Sequence, residues 1–301
     1  MTKTMITGKT KLLGVIGHPV EHSLSPVMHN AALGQLGLDY VYLPFPIAPD
    51  NLEVAIAGLA SIGVVGFSVT IPHKQAIIPL LDEISPVAQA IGAVNTVTRR
   101  GNQWVGTNTD IEGFISPLQT TYQQDWSQKV AVILGNGGAA RAVVAGCHQL
   151  GFPEIHVVGR NVQRLEEFRH SWENSTIGEN LQVHSWDHLA KLIPQANLLV
   201  NTTPIGMYPK IDESPLSTQE LVNLPAGALT SGLSQTIAYD LIYIPQPTQF
   251  LHKAHQQGAI AIDGLEMLVQ QGVAALKIWL QQDNIPVDVM RQALKNQLGL
   301  G

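Results

Sequence analysis

Residues 130–142 read V-A-V-I-L-G-N-G-G-A-A-R-A, and this stretch decides the fold. The five apolar residues, three of them β-branched, form a run of strand length and strand composition. Gly135-Asn136-Gly137-Gly138 breaks the run at once, and the small residues that follow open a helix that carries to Leu150. Strand, glycine-rich turn and helix in immediate succession match the first unit of a dinucleotide-binding fold. Gly135 permits the tight turn, and Gly137 lets the backbone approach a pyrophosphate. The amides at the helix start offer donors and the positive end of the helix dipole. The spacing is G-x-G-G-A-A, with Ala140 in the place of the third glycine, so an ordinary strand-to-helix turn stays open as a second reading.

The end of the next strand narrows the choice. Ile155 to Val158 reads as a strand, followed by Gly159-Arg160-Asn161 and, a turn later, Arg164. An NAD site usually carries Asp or Glu here to accept hydrogen bonds from the ribose 2′-hydroxyl. A carboxylate would repel a 2′-phosphate, whereas a guanidinium binds it through charge-assisted bonds. NADP is therefore favoured; the competing reading makes Arg160 a solvated residue at a helix start. Leu198–Val200 and Ala238–Leu241 continue the strand series, and such alternation implies a doubly wound parallel sheet.

The segment before Asp110 is a different α/β unit. Leu12–Ile16 is a short strand, and Ser25-Pro26 opens a helix with serine at the cap and proline at the first helical position. Tyr40–Leu43 is a second strand. Pro49-Asp50 starts a helix whose Leu52, Ala55, Ile56 and Leu59 share one face. Val64–Val69 is a third strand that runs into the polar turn T-I-P-H-K. Val94–Arg99 and Gln103–Thr107, separated by R-G-N, read as a hairpin. Beyond Asp263 come two helices, Leu265–Gln282 and Val287–Leu298.

Composition sets the outer limits. A chain of 301 residues is long for one core, so two domains are expected. With 45% hydrophobic and 13% charged residues, disorder is excluded. A net charge of −6 without a basic run leaves no footprint for nucleic acid or an acidic membrane. Cys147, alone of its kind, forms no internal disulfide and reads as a buried, inert thiol. The N-terminus lacks the apolar core of a secretory signal. The uncharged stretch Val54–Pro72 is interrupted by Gly58, Gly63 and Gly66, which fits a helix and a buried strand better than a membrane span. The expectation is a soluble cytoplasmic protein with no nucleic-acid or membrane partner.

Three polar segments follow strands of the first unit: H-S-L-S-P, S-V-T-I-P-H-K, and A-V-N-T with T-N-T-D. Ligands of open α/β sheets bind beyond the carboxyl ends of strands, so these loops are candidates to converge. Singly each has a plain structural reading: Ser25 and Asp110 as helix caps, Lys74 as a surface lysine.

Together, and in order, these segments resemble the shikimate dehydrogenase family. G-V-I-G-H-P-V-E-H-S-L-S-P-V-M-H-N, F-S-V-T-I-P-H-K, G-A-V-N-T with G-T-N-T-D, G-N-G-G-A-A-R-A with G-R-N, N-T-T-P-I-G-M, Y-D-L-I-Y-I-P and D-G-L-E-M-L-V-Q-Q follow one another as in that family. The resemblance implies a two-domain α/β fold, with a Rossmann-type doubly wound NADP-binding domain, an α/β substrate-binding domain and an active site in the cleft between them. Residues 1–110 and 264–301 would form the substrate domain, and 111–263 the nucleotide domain. The implied activity is NADPH-dependent, reversible reduction of 3-dehydroshikimate to shikimate in aromatic amino acid biosynthesis. Lys74 and Asp110 would be the acid/base pair. Ser23 and Ser25 would hydrogen-bond the substrate carboxylate, and Thr70, Asn95 and Gln271 its carboxylate or hydroxyls, with Tyr243 a further contact. Gly135, Asn136, Gly137, Gly138 and Ala139 would hold the pyrophosphate and Arg160 the 2′-phosphate. Thr202 and Met207 would border the nicotinamide, with Asn161, Arg164 and Gly264 as further cofactor contacts. The partner is a small-molecule substrate, and the assembly a monomer or homodimer.

Two departures from the family pattern stand out: Ser68 where asparagine is usual, and Asn136 where alanine is usual. Serine is shorter and offers one hydroxyl, so a hydrogen bond near the catalytic turn is in question. Asparagine tolerates left-handed geometry better than alanine, which leaves the turn itself intact. The rival readings are a quinate or quinate/shikimate dehydrogenase and a non-catalytic NADP-binding regulator. The second predicts a degraded acid/base pair, whereas Lys74 and Asp110 are both present. His184 and His188 have ligand-like spacing, but no partner motif completes a zinc site, and no metal is expected.

Overall fold

The computed structural model describes residues 6–122, 125–173, 175–225 and 235–300. The chain divides into two compact units, Met1–Gly113 with Leu268–Gly301, and Phe114–Met267. Both divisions fall a few residues into a helix, whereas the sequence reading placed them at 110/111 and 263/264.

The first unit contains β1 (Lys11–Gly17), α1 (Ser25–Gln35), β2 (Tyr40–Pro46), α2 (Leu52–Ser61), β3 (Gly66–Val69), α3 (His73–Ala76), β4 (Glu83–Ile84), α4 (Pro86–Ile91), β5 (Thr96–Arg100), β6 (Gln103–Thr107) and the start of α5 (Asp110–Thr121). Its sheet runs β2-β1-β3-β5-β6-β4. Strands β1, β2 and β3 are parallel, while β5 turns back against β3 and β6 against β5. Register then fixes the geography. Ile16 lies beside Val69, Ser68 beside Thr96, and Thr96 beside Thr107. The ends of β1, β3 and β6 and the beginning of β5 thus share one edge of the sheet, which is where the polar segments emerge.

Leu52, Ile56 and Leu59 bury one face of α2, and Phe67 packs edge-on against Trp104 at 5.1 Å. Two C-terminal helices complete this unit: most of α11 (Leu265–Leu280), counted after α6–α10 of the second unit, and α12 (Val287–Leu298). Trp279 of α11 is buried and donates its indole N–H to Val97 O at 2.9 Å. Its ring lies against Gly66, where an added Cβ would sit 2.3 Å from Nε1. Glycine is therefore required there for close approach. Burying a tryptophan of 150–250 Å² contributes roughly 4–6 kcal/mol of transfer free energy.

Two local expectations are corrected. Ser25 is not the cap of α1: Leu24 holds that position without a side-chain bond, and Ser25 is already helical. The T-I-P-H-K segment is not a plain turn, because His73 and Lys74 begin the short helix α3.

The second unit contains β7 (Val130–Leu134), α6 (Gly138–Leu150), β8 (Glu154–Gly159), α7 (Val162–His170), β9 (Leu181–Ser185), α8 (Leu189–Leu192), β10 (Leu198–Asn201), α9 (Thr218–Leu221), β11 (Ile237–Asp240), α10 (Gln249–Gln256) and β12 (Ile260–Ile262). All its pairings are parallel, in the order β12-β11-β10-β7-β8-β9. The chain winds outward from β7 through β8 to β9, returns to β10 beside β7, and winds the other way. That reversal makes the crevice between β7 and β10 the topological switch point of a doubly wound sheet. The edge strands β9 and β12 escaped the sequence reading. L-Q-V-H-S is half-exposed, and I-A-I is only a three-residue run. Cys147 is fully buried, which pushes its thiol pKa up. Among the described residues no helix is long and apolar enough to cross a membrane.

Candidate active site

At the shared edge of the first sheet, Lys74 Nζ donates to Asp110 Oδ2 at 2.5 Å. The side chains are 19% and 10% exposed, so the pair is shielded but reachable. Lys74 is set by α3, which follows β3; Asp110 is the first residue of α5, which follows β6. The second carboxylate oxygen, Oδ1, accepts from Asn95 Nδ2 at 2.8 Å. Asn95, just before β5, also donates to Thr109 Oγ1 at 3.0 Å and accepts from Thr109 N at 2.8 Å and Thr96 Oγ1 at 2.9 Å. Its carboxamide is thus fully engaged within the protein, and Asp110 is held at both oxygens. Asn108 braces the segment further, accepting from Asp110 N at 2.9 Å and donating to Ala93 O at 3.0 Å. The T-N-T-D motif carried this information, although only its aspartate was singled out.

The serine loop after β1 is tied to the same layer. Ser23 is half-buried and accepts from Ser25 N at 3.3 Å. Ser25 is buried, and its hydroxyl shares the Tyr42 phenol with Ser68, which lies 2.9 Å from the phenol oxygen. Ser68 therefore keeps a hydrogen bond close to the end of β3. The sequence reading missed Tyr42, because Y-V-Y-L reads as an ordinary strand. Burial raises its phenol pKa, with the two serines opposing. His29 stacks on Tyr42 at 4.2 Å and is fully buried, with neither ring nitrogen partnered among the described residues, so burial lowers its pKa to about 3. Thr70 is half-buried after β3, and Gln271 on α11 is buried, with Nε2 donating to Leu268 O at 2.9 Å.

The second unit holds a separate constellation at its switch point. Gly135 has φ +103°, and an added Cβ would stand 2.8 Å from Thr202 Oγ1. Only glycine fits. Thr202 reaches across from β10 and donates its hydroxyl to Leu134 O at 2.7 Å. Gly137 and Gly138 face open space, and the N-terminus of α6 has no side-chain cap. Its first amides are thereby left for an external acceptor, as a pyrophosphate requires. Ala139 lies in the first turn of that helix. Arg160 and Arg164 are exposed at the carboxyl end of β8, and among the described residues neither guanidinium has an ion-pair partner. Asn161 caps α7, accepting from Arg164 N at 3.0 Å. An open, uncapped glycine turn beside two uncommitted guanidiniums fits a dinucleotide carrying a 2′-phosphate.

The loops after β10 and β11 are locked together by a network that the sequence reading did not anticipate. Asn201 Nδ2 donates to Asp240 Oδ1 at 3.0 Å, Ile242 N to the same oxygen at 3.1 Å, and Thr248 Oγ1 to Oδ2 at 2.7 Å. Burial raises the Asp240 pKa to about 6, with these bonds opposing. Met207 is partly exposed in the first loop, and Tyr243 is half-buried in the second, where burial raises its phenol pKa. At Gly264 an added Cβ would lie 2.1 Å from Leu241 O, so that turn also demands glycine. The signal for the network was present as N-T-T-P and Y-D-L, but sequence spacing does not show that Asn201 and Asp240 are register partners.

The model of the shikimate dehydrogenase substrate binding domain matches residues 15–97, and that of the shikimate 5′-dehydrogenase C-terminal domain matches 264–295. A protein of Trichormus variabilis named shikimate dehydrogenase (NADP(+)) is 86% identical over 296 residues, covering 98% of this chain and all of its own. The chain belongs to the shikimate dehydrogenase family. Solved structures of family members agree in fold. A shikimate dehydrogenase in complex with NADP+ is 38% identical, with a TM-score of 0.86 over 99% of both chains. The enzyme of Thermus thermophilus in complex with NADP(H) and shikimate is 32% identical, with a TM-score of 0.81 over 95% of this chain and 99% of its own. In this chain, Lys74, Asn95 and Asp110 meet on one sheet edge because the β5–β6 hairpin returns the chain to the end of β3.

Proposed function

We infer that this protein is an NADP-dependent shikimate dehydrogenase, reducing 3-dehydroshikimate to shikimate reversibly in aromatic amino acid biosynthesis. The observation that carries the reading is the Lys74–Asp110 pair, a shielded cation and carboxylate within 2.5 Å, in a chain 86% identical to a shikimate dehydrogenase. NADPH, when bound, supplies the hydride. As the ring carbonyl is reduced, negative charge grows on its oxygen. Nζ of Lys74 is the group we assign to neutralise that charge and deliver the proton. Asp110 Oδ2 holds the ammonium in place, and Asn95 holds Asp110 from the opposite oxygen. In the oxidation direction the proton on the substrate hydroxyl returns to the same pair.

Ser23 and Ser25 are assigned to the substrate carboxylate, and Thr70 and Gln271 to its carboxylate or hydroxyls. Tyr243 is a further contact. Gly135–Ala139 hold the pyrophosphate, Arg160 the 2′-phosphate with Asn161 and Arg164 beside it, and Thr202, Met207 and Gly264 the nicotinamide side. The enzyme works in the cytoplasm as a monomer or homodimer, a setting that suits a single buried, unpaired cysteine.

The decisive experiment follows nicotinamide reduction while the purified protein oxidises shikimate or quinate, each with NADP+ and NAD+. Rapid turnover of shikimate with NADP+ is expected, with quinate a poor substrate because its extra hydroxyl must enter the pocket of Ser23 and Ser25. An unpaired buried polar group costs about 1–3 kcal/mol, or roughly one to two decades in kcat/KM. Equal rates on quinate would overturn the preference, and no shikimate oxidation would overturn the function.

A further inference from the structure

The glycine-rich turn contains one polar side chain, Asn136, and the structure gives it nothing to do. Its Nδ2 is shielded from solvent and has no hydrogen-bond partner among the described residues. The neighbouring polar groups are engaged: Thr202 Oγ1 donates to Leu134 O, and Asn161 Oδ1 accepts from Arg164 N. A shielded amide without a partner is costly, so it calls for an explanation.

Backbone geometry does not supply one. Asparagine is useful where φ is positive, but here the positive φ belongs to Gly135, and among the described non-glycine residues only Gln281 has one. The side chain itself must carry the reason. It lies against the end of β8: a Cβ added at Gly159 would be 3.3 Å from Asn136 Oδ1. Glycine at 159 thus leaves the carboxamide room at the strand end, immediately before Arg160. In a doubly wound nucleotide domain, that is where the adenosine ribose is read. Asn136 as a whole is partly exposed, and a half-turn about χ2 exchanges its oxygen and its NH2 group at little cost.

We propose that the Asn136 carboxamide donates a hydrogen bond to the 2′-phosphate of the nucleotide, acting with Arg160 to select NADP over NAD. This rests on the reading of the second unit as the NADP site. An alanine at this position would leave the phosphate to the guanidinium alone. This chain adds a neutral donor whose two hydrogens face no acceptor among the described residues.

The test is direct binding to the full-length protein by isothermal titration, with NADP+, NAD+, 2′,5′-ADP and 5′-AMP as the ligands. Asn136→Ala should weaken NADP+ and 2′,5′-ADP by about tenfold, the weight of a hydrogen bond to a charged group. NAD+ and 5′-AMP should change by less than about twofold. Asn136→Asp, which sets a carboxylate beside the phosphate, should weaken NADP+ further, and NADP+ more than NAD+. The melting temperature checks that both variants are folded. Unchanged NADP+ affinity in a folded Asn136→Ala, or equal loss for NADP+ and NAD+, would overturn this inference alone. Failure of the wild type to bind NADP+ would overturn it together with the functional reading.

Discussion

Replacing Lys74 by Met and Asp110 by Asn, singly and together, measures whether the two residues act as one device. Their contact is 2.5 Å with side chains 19% and 10% exposed, so the bond is charge-assisted and poorly screened. Removal of a positioned acid/base group costs about 10²–10⁴ in kcat. If Asp110 works by holding Lys74, the carboxylate has little to do once the ammonium is gone. The double variant should then fall short of the product of the single losses by the coupling of the pair, about 1.5–3 kcal/mol, or one to two decades. Initial rates of NADP-linked shikimate oxidation give kcat for all four proteins. Titration with NADP+ verifies that the second unit still binds nucleotide. Fully multiplicative losses would refute the argument, because the two residues would then contribute independently. A near-wild-type kcat for Lys74→Met would remove the lysine from the chemistry altogether.

Two further outcomes concern stability. His29 is held neutral, with a pKa of about 3 against an ordinary 6.5, so the unfolded chain binds the extra proton between those values. Stability from this residue is intact above pH 6.5 and falls by about 1.4 kcal/mol for each pH unit below it. Urea midpoints of wild type and His29→Phe should diverge progressively below pH 6.5; parallel curves would show that His29 is not buried uncharged. Asp240 has the opposite sign: its pKa is raised from 3.8 to about 6, so its contribution worsens as pH rises through that window and stays unfavourable above it. Asp240→Asn removes the charge and keeps one oxygen to accept from Asn201 Nδ2 and Ile242 N, while its NH2 group meets Thr248 Oγ1, whose hydroxyl must turn to accept; it should lose less stability than Asp240→Ala at pH 8. Asp240→Ala strands Ile242 N and Thr248 and should lose about 2–4 kcal/mol in urea unfolding. Equal damage from the two substitutions would mean that the charge itself is needed.

Much of the molecule was legible in the sequence where one physical demand dominates. Val130–Leu134 and the following glycines announced β7 and its turn, because a buried parallel strand must be apolar throughout and the turn must lack a side chain. The strand that ends before Arg160 was legible for the same reason, since Ile155, Val157 and Val158 are apolar. Segments whose meaning depends on pairing were not. The bonds that tie the Asn95 carboxamide to Thr109 and Asp110 are set by the register of β5 and β6, which spacing along the chain does not show. Asn201, Asp240 and Tyr42 stayed hidden for the same reason. Asn136 was read through its backbone tolerance, which the observed φ angles do not use.

The filling of the gap over Gly66 by Trp279 has a consequence for biosynthesis. Residues 114–267 form their unit from one continuous piece of chain, whereas residues 1–113 require a helix translated after all of that piece. As the polypeptide emerges N-terminus first, the nucleotide unit can reach its final packing while the earlier-made sheet still has an apolar opening beside β3. Order of synthesis and order of completion are therefore reversed. Truncation upstream of residue 279 should leave the oldest part of the chain unfinished while sparing the part made later.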